Sequence, residues 1–346
     1  MKYALIIGCI ISMWGCHASS SSSAADSLPE APTATGLERI YEIAREANNI
    51  RSVLISLDGK LVMEQYFDAY SSDSLDHQRS GTKSIMASLI GIAIDQGMIK
   101  DVEEPLSNYL IDVDDRFDNI TIRHLLTMTS GFEWNEEVSV EEYNTWVSSG
   151  DQLGFLLRKP TIHAPGTKWN YNSATMHLLS MVLTRASGMS TLAFAEQYLF
   201  APLHIQAVEW ERLSAGFYNG GAGLQLRPKD MIKLGKLIAD DGMYEGKQII
   251  SKAFIDAAIS HQEPTPFASD ENIGYGYGWW LGEPNGVQAI LARGYAGQII
   301  AVFPELQMVA AITHNWRVDV EEAIAQQGQA FSILATLLTE DITTFN

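Results

Sequence analysis

The sequence predicts an α/β fold of the α+β type, a mostly antiparallel sheet flanked by helices and joined to a mainly helical lobe. Three observations carry that expectation. Runs rich in β-branched and apolar residues sit near both ends of the chain, Arg51 to Phe67 and Ile299 to Thr313. The stretch between them, about Ser84 to Ala239, is mostly helical in its spacing, and a last apolar-periodic run, Glu321 to Leu338, reads as a covering helix. Strands at the two ends with helices between them require the N- and C-terminal segments to close one sheet together.

Taken in order, Lys2 precedes the apolar run Tyr3 to Trp14, too short for a bilayer span of about 20 residues but suited to the core of a signal peptide. The run ends at Gly15-Cys16, which resembles a bacterial lipoprotein box. Residues 1–16 are therefore read as an export signal, Cys16 as a lipidation site, and 17–34, with its serine run and Pro29 and Pro32, as a polar tether. His17 after Cys16, rather than Asp, resembles the outer-membrane sorting pattern of Gram-negative lipoproteins, and the competing expectation is an ordinary signal peptide cut near Ser20 to Ala25, leaving the protein free in the periplasm. A Cys16→Ser form should leave the membrane fraction on fractionation, because the acyl chains contribute about 0.8 kcal/mol per buried CH₂; its retention there would refute the lipid anchor.

The folded domain is expected over 35–346. Leu37 to Ala44 has helical spacing, and Arg51 to Leu57 with Leu61 to Phe67 around Asp58-Gly59 forms a hairpin. Ile299 to Phe303 and Met308 to Thr313, broken at Pro304-Glu305-Leu306-Gln307, form a second. A chain of 346 residues with 46% hydrophobic content has enough apolar mass for one large domain or two joined lobes. Its 23 basic and 42 acidic side chains leave a net charge of −19, which repels phosphate backbones, so nucleic acid is not an expected partner. Cys9 and Cys16 both lie in the leader region, which leaves no internal disulfide, and no H-E-x-x-H or paired Cys/His spacing suggests a metal; no cofactor is expected.

The chemistry-bearing stretch is Ser80-Gly81-Thr82-Lys83, at the expected start of a helix. Residues at i and i+3 share a helix face at roughly 5 to 6 Å between Cβ atoms, so an uncharged Lys83 can take the Ser80 proton. Unpaired N–H groups of the first turn would help to stabilise an oxyanion beside Ser80. Two further segments join it. Pro165-Gly166-Thr167-Lys168-Trp169-Asn170-Tyr171-Asn172-Ser173 reads as a turn with Tyr171 exposed where a helix begins, and Ala292-Arg293-Gly294-Tyr295 leads into the C-terminal hairpin. His124, His163 and His177 invite a Ser/His/Asp reading, but no G-x-S-x-G elbow occurs and His177 falls on an apolar helix face, so core or surface roles are expected. Gly220 to Gly223 reads as a flexible turn near the site.

With S-x-x-K at Ser80 to Lys83, Tyr171-Asn172-Ser173 in the place of a Y-x-N motif and a K/H-x-G-like strand in that order, the chain resembles the serine β-lactamase and penicillin-binding-protein-like hydrolases, in the branch of class C β-lactamases, family VIII esterases and 6-aminohexanoate-dimer hydrolases. The resemblance runs from about Arg51 to Thr313. It implies a β-lactamase/transpeptidase-like fold and a serine hydrolase acting on a small ester, amide or peptide. In it Ser80 is the acylated nucleophile, Lys83 its base and Tyr171 a second base or proton shuttle. The backbone N–H groups of Ser80 and Tyr295 form the oxyanion hole, and Ser173, Ala292, Gly294 and Tyr277 border the substrate.

Two departures stand out. Ser173 replaces the Asn common in relatives, and Ala292 replaces the Lys or His of lactam-binding members, so selection of anionic substrates is expected to be weak. Arg293, one position along the strand, should point to the opposite face. Tyr295, Tyr277 and Trp279 are then expected to suit an apolar acyl group. The alternatives are D-amino-peptidase or β-lactamase activity, or a catalytically silent module that binds cell-wall peptides.

Overall fold

A computed structural model describes residues 34–136, 139–262 and 273–340. The leader, Cys16 and most of the tether lie outside the described residues. The expected closure of the sheet from both ends is present. Strands β1 (Ile50–Leu57), β2 (Lys60–Tyr66), β3 (Ile273–Tyr275), β4 (Trp280–Gly282), β5 (Ala289–Gly294), β6 (Gln298–Phe303) and β7 (Met308–His314) form one sheet in the order β2-β1-β7-β6-β5-β4-β3. Every pairing is antiparallel, and β1 meets β7 with Leu54 opposite Ala311. The central strands are buried along their whole length, which is why β6 and β7 read as unbroken apolar runs rather than alternating ones.

Among the described residues there are five helices of twelve residues or more: α1 (Ala34–Glu46), α2 (Thr82–Asp95), α3 (Ser173–Ser187), α4 (Pro228–Ala239) and α5 (Val320–Thr339). Helices α1 and α5 pack on each other, and α5 touches β6 and β7. Helix α4 lies against β1, β6 and β7. It faces Ile300, Val302 and Val309, whereas Arg293, opposite Ile299 in the ladder, reaches Phe331 of α5; by the two-residue period of a strand, α4 and α5 cover opposite faces.

That position of α4 corrects one boundary. The sequence suggests a helical lobe running to Ala239, but α4 belongs to the sheet layer. Pro228 at its first turn starts it cleanly, and Met231, Leu234 and Ile238 form a buried stripe that only the sheet can cover. The closest approach is at Gly235, where a Cβ would fall 2.4 Å from Val309 Cγ1. Gly235→Ala should therefore destabilise the fold by about 1 to 2 kcal/mol, overpacking exceeding the gain of up to about 1 kcal/mol in helix propensity. A urea unfolding midpoint equal to or above that of the parent would show that the sheet yields more easily than its packing implies.

Helix α2 is the axis of the second layer. It is buried on every face from Thr82 to Ala93, its few polar side chains included, and packed on α3. A helix with no solvent-facing side is central, and the turn at its N-terminus meets β5.

Candidate active site

The chain enters α2 through a small strand, Asp76–His77, paired with Leu224–Leu226, which in turn pairs with Val208–Trp210. A tight turn, Arg79–Gly81, follows and carries Ser80. Arg79 sits at φ +49°, a left-handed conformation uncommon for a residue other than glycine, and its N–H donates to His77 Nδ1 at 3.0 Å. The end of β5 presses directly on this turn. A Cβ on Gly294 would lie 2.1 Å from the Gln78 carbonyl oxygen, so only glycine permits the contact that brings Tyr295 beside Ser80. The β5–β6 turn is held from below, Gln298 Nε2 donating to the carbonyls of Ala296 and His314.

Lys83 Nζ lies 3.0 Å from Ser80 Oγ and 2.7 Å from the Gly221 carbonyl oxygen. The lysine is 1% exposed, and burial pushes its amine down from 10.5 to about 7; Glu136 opposes the shift and Arg79 adds to it. A neutral amine can donate one hydrogen to Gly221 and keep its lone pair for the serine proton. Near neutral pH a large share of the protein therefore holds Lys83 as a competent base.

Tyr171 is buried rather than exposed, because Trp169 and Trp280 pack around its ring at centroid distances of 6.1 and 6.2 Å. Lys83 Nζ lies 4.8 Å from the same ring. Burial raises the phenol well above its ordinary value, while the Ser80 hydroxyl and the charge of Arg293 pull the other way. Tyr171 is thus a protonated phenol at rest, suited to deliver a proton and a poor match to the role of resting base. Asn172 caps α3, its side chain accepting from Thr175 N at 3.0 Å.

These groups open on a cleft of about 760 Å³ lined by Ser80, Tyr171, Trp280, Arg293, Gly294 and Tyr295, among others. The other sequence candidates are placed less directly. Ala292 is 1% exposed and faces Gly81 beneath the turn, away from the cleft lining. Ser173 is also buried; its N–H and Oγ both donate to Glu136, at 2.9 and 2.6 Å. Tyr277 does not line the cleft: its ring packs on Phe254 and its hydroxyl meets Arg123 at 2.5 Å. Trp279 is likewise buried away from it, and Trp280 takes the wall position.

The glycine segment is near the site but is not flexible. A Cβ on Gly221 would lie 2.4 Å from the Ser173 carbonyl oxygen, and Asn219 Oδ1 accepts from the N–H groups of Gly221 and Ala222. That strapping holds the Gly221 carbonyl on Lys83. His177 is fully buried against Trp146, and burial lowers its imidazole to about 4; His124 Nδ1 accepts from Thr121 N. Both are structural, as expected. Among the described residues no cluster of His, Cys, Asp and Glu is arranged to hold a metal.

Sequence reasoning missed Glu136, Arg79 and Trp316, all of which line the cleft. Glu136 also accepts from Trp134 Nε1. Trp316 is covered by two cations, with Arg79 Cζ 4.6 Å and Arg317 Cζ 4.5 Å from its ring. The sequence offers one weak signal, the position of Arg79 immediately before Ser80; Glu136 is one acid among 42.

A Beta-lactamase family model matches residues 45–334. The chain is similar to the 6-aminohexanoate-dimer hydrolase of Paenarthrobacter ureafaciens, 23% identical over 221 residues that make up 59% of this chain and 56% of that protein. It therefore spans little more than half the length of that relative. In fold it is similar to the octameric penicillin-binding protein homologue from Pyrococcus abyssi, at a TM-score of 0.71 and 19% identity over 89% of this chain and 77% of that one. It is similar also to a D-stereospecific amidohydrolase from a Streptomyces species, at a TM-score of 0.64 and 16% identity over 86% of this chain and 98% of that one.

Proposed function

The chain belongs to the Beta-lactamase family, a hydrolase of the serine type, and from that premise we propose that it cleaves an ester or amide bond through an acyl-enzyme on Ser80. One observation carries the reading: a buried amine with its pKa lowered to about 7, 3.0 Å from a serine oxygen at the floor of a cleft. Neutral Lys83 takes the Ser80 proton as Oγ bonds to the substrate carbonyl carbon, and the carbonyl π electrons move onto oxygen. The N–H groups of Ser80 and Tyr295 receive that oxyanion. On collapse the leaving group departs with a proton delivered from Lys83 through the Tyr171 phenol, which leaves an ester on Ser80. Water then attacks that ester, giving its proton to the same Lys83–Tyr171 pair; the bond from the carbonyl carbon to Oγ breaks, the acid leaves, and the proton passes to Ser80 Oγ.

The test is a fluorescent phosphonate that captures activated serines, followed by peptide mapping. Phosphonylation at Ser80 alone is expected. Labelling spread over other serines, or none at all, would defeat the acyl-enzyme reading.

A further inference from the structure

We propose that His77 is a positioning residue for the acyl transfer: its Nδ1 accepts from the Arg79 N–H and so holds the peptide that sets Ser80 between Lys83 and the end of β5. The inference rests on the Ser80 reading and adds to it a residue outside the cleft. His77 is not among the cleft-lining residues, so it acts on the nucleophile through the backbone.

The peptide between Gln78 and Arg79 joins a strand to the nucleophile turn. On the strand side, His77 is fixed by its pairing with Gln225. On the other side, the Gln78 carbonyl accepts from the Gly81 N–H at 2.9 Å, and its oxygen is the atom that a Cβ on Gly294 would strike. One carbonyl thus ties the turn that carries Ser80 to the strand end that carries Tyr295. The conformation around this peptide is not a relaxed one, since Gln78 is helical, at φ −70° and ψ −14°, but Arg79 is left-handed. Turning the peptide over would return Arg79 to a negative φ, and it would swing the carbonyl off both contacts. The N–H at the opposite side of the same peptide is the one that His77 holds.

A neutral imidazole suits this task. A bond from the Arg79 N–H requires Nδ1 to be bare, with the ring hydrogen on Nε2, and a charged ring could not accept at all. Burial, then the charges of Arg79 and Arg317, push the His77 ring down to about 3, so it stays an acceptor at neutral pH. The ring packs on Trp316 at a centroid distance of 4.9 Å, and the Arg79 guanidinium lies 4.6 Å from the same indole. The indole therefore fixes the imidazole, and the Arg79 side chain offsets part of its own backbone strain by stacking there. Glycine would adopt the same φ freely, so the arginine needs a hold on its N–H that glycine would not.

Substitutions that separate the acceptor from the ring test this. His77→Asn puts a carbonyl oxygen where Nδ1 stood, His77→Gln puts one nearer Nε2, and His77→Phe keeps an aromatic ring on Trp316 without an acceptor. His77→Phe should lower kcat for p-nitrophenyl butyrate about tenfold to a hundredfold with little change in KM, the usual effect of misplacing reacting groups by about 1 Å. The rate at which the fluorescent phosphonate labels Ser80 should fall in step. His77→Gln should behave like His77→Phe, and His77→Asn should stay within about fivefold of the parent. In an Arg79→Gly background the His77→Phe effect should shrink to about threefold or less, because glycine needs no help to hold a positive φ. Arg79→Gly has an effect of its own, so the comparison is made within each background.

A His77→Asn rate as low as that of His77→Phe would make the packing of the ring, not its acceptor, the cause. An equal His77→Phe effect in both backgrounds would show that the Arg79 conformation does not depend on the bond. Either result overturns the assignment. Should His77→Phe fail to fold, the contrast between His77→Gln and His77→Asn carries the test. Failure of the Ser80 reading looks different, since the parent itself would then leave Ser80 unlabelled. In that event the nitrogen NMR spectrum of the His77 ring decides: an Nε2–H tautomer with an accepting Nδ1 supports the hold on the turn, and an Nδ1–H tautomer overturns it.

Discussion

Replacing Ser80 by Ala should lower kcat/KM for p-nitrophenyl butyrate by at least about 10⁴-fold, because removal of a nucleophile that acts as one unit with its base abolishes the covalent route. What remains should be the modest catalysis available from the oxyanion donors and substrate positioning. The fold should survive. Ser80 is half-buried, its side chain is small, and the turn that carries it is held by the Gln78 N–H to Leu224 carbonyl bond and the close contact at Gly294 rather than by the hydroxyl. Unchanged circular dichroism and an unchanged melting temperature would then assign the loss to chemistry. A Ser80→Ala rate within about tenfold of the parent would mean that water attacks the substrate directly and that no acyl-enzyme forms.

The second large effect concerns Lys83. Lys83→Met keeps the length and apolar volume of the side chain but removes the amine, and should lower kcat/KM by about 10² to 10⁴-fold, the usual contribution of a general base. The pH dependence gives a sharper check. The base must be deprotonated to act, and burial has lowered its pKa to about 7, so kcat/KM should rise with pH and level off above that value. An unshifted lysine would place the limb near 10.5. Tyr171, raised well above its ordinary value, should add no falling limb at mildly alkaline pH. A flat profile between pH 5 and 9, or a rising limb that persists in Lys83→Met, would assign the base to another group.

Ser80 and Lys83 were legible because their relation is local. Three residues of helical chain bring them onto one face whatever surrounds them, and the contact at 3.0 Å follows from that spacing. The two hairpins were legible for a similar reason, each being a pair of apolar runs joined by a turn signal. The Beta-lactamase family assignment, too, needed only the order of three short motifs.

What the tertiary structure decided is the environment of each group, since that depends on segments far apart in the sequence. Gly221 reaches Lys83 across 138 positions and Glu136 reaches Ser173 across 37, and no local pattern encodes either contact. Burial lowers the Lys83 amine and raises the Tyr171 phenol, although the turn preceding α3 reads as exposed. Strand alternation correctly separated Ala292 from Arg293, but it could not tell which face meets the cleft at the end of β5. The Arg293 guanidinium lies over the Trp280 ring and lines the cleft, so a cation is present from the face that the pattern had set aside. Residue identity and short spacing determined which side chains sit together; the packing of distant segments determined their protonation and the walls around them, because desolvation and charge pairing are properties of the assembled interior.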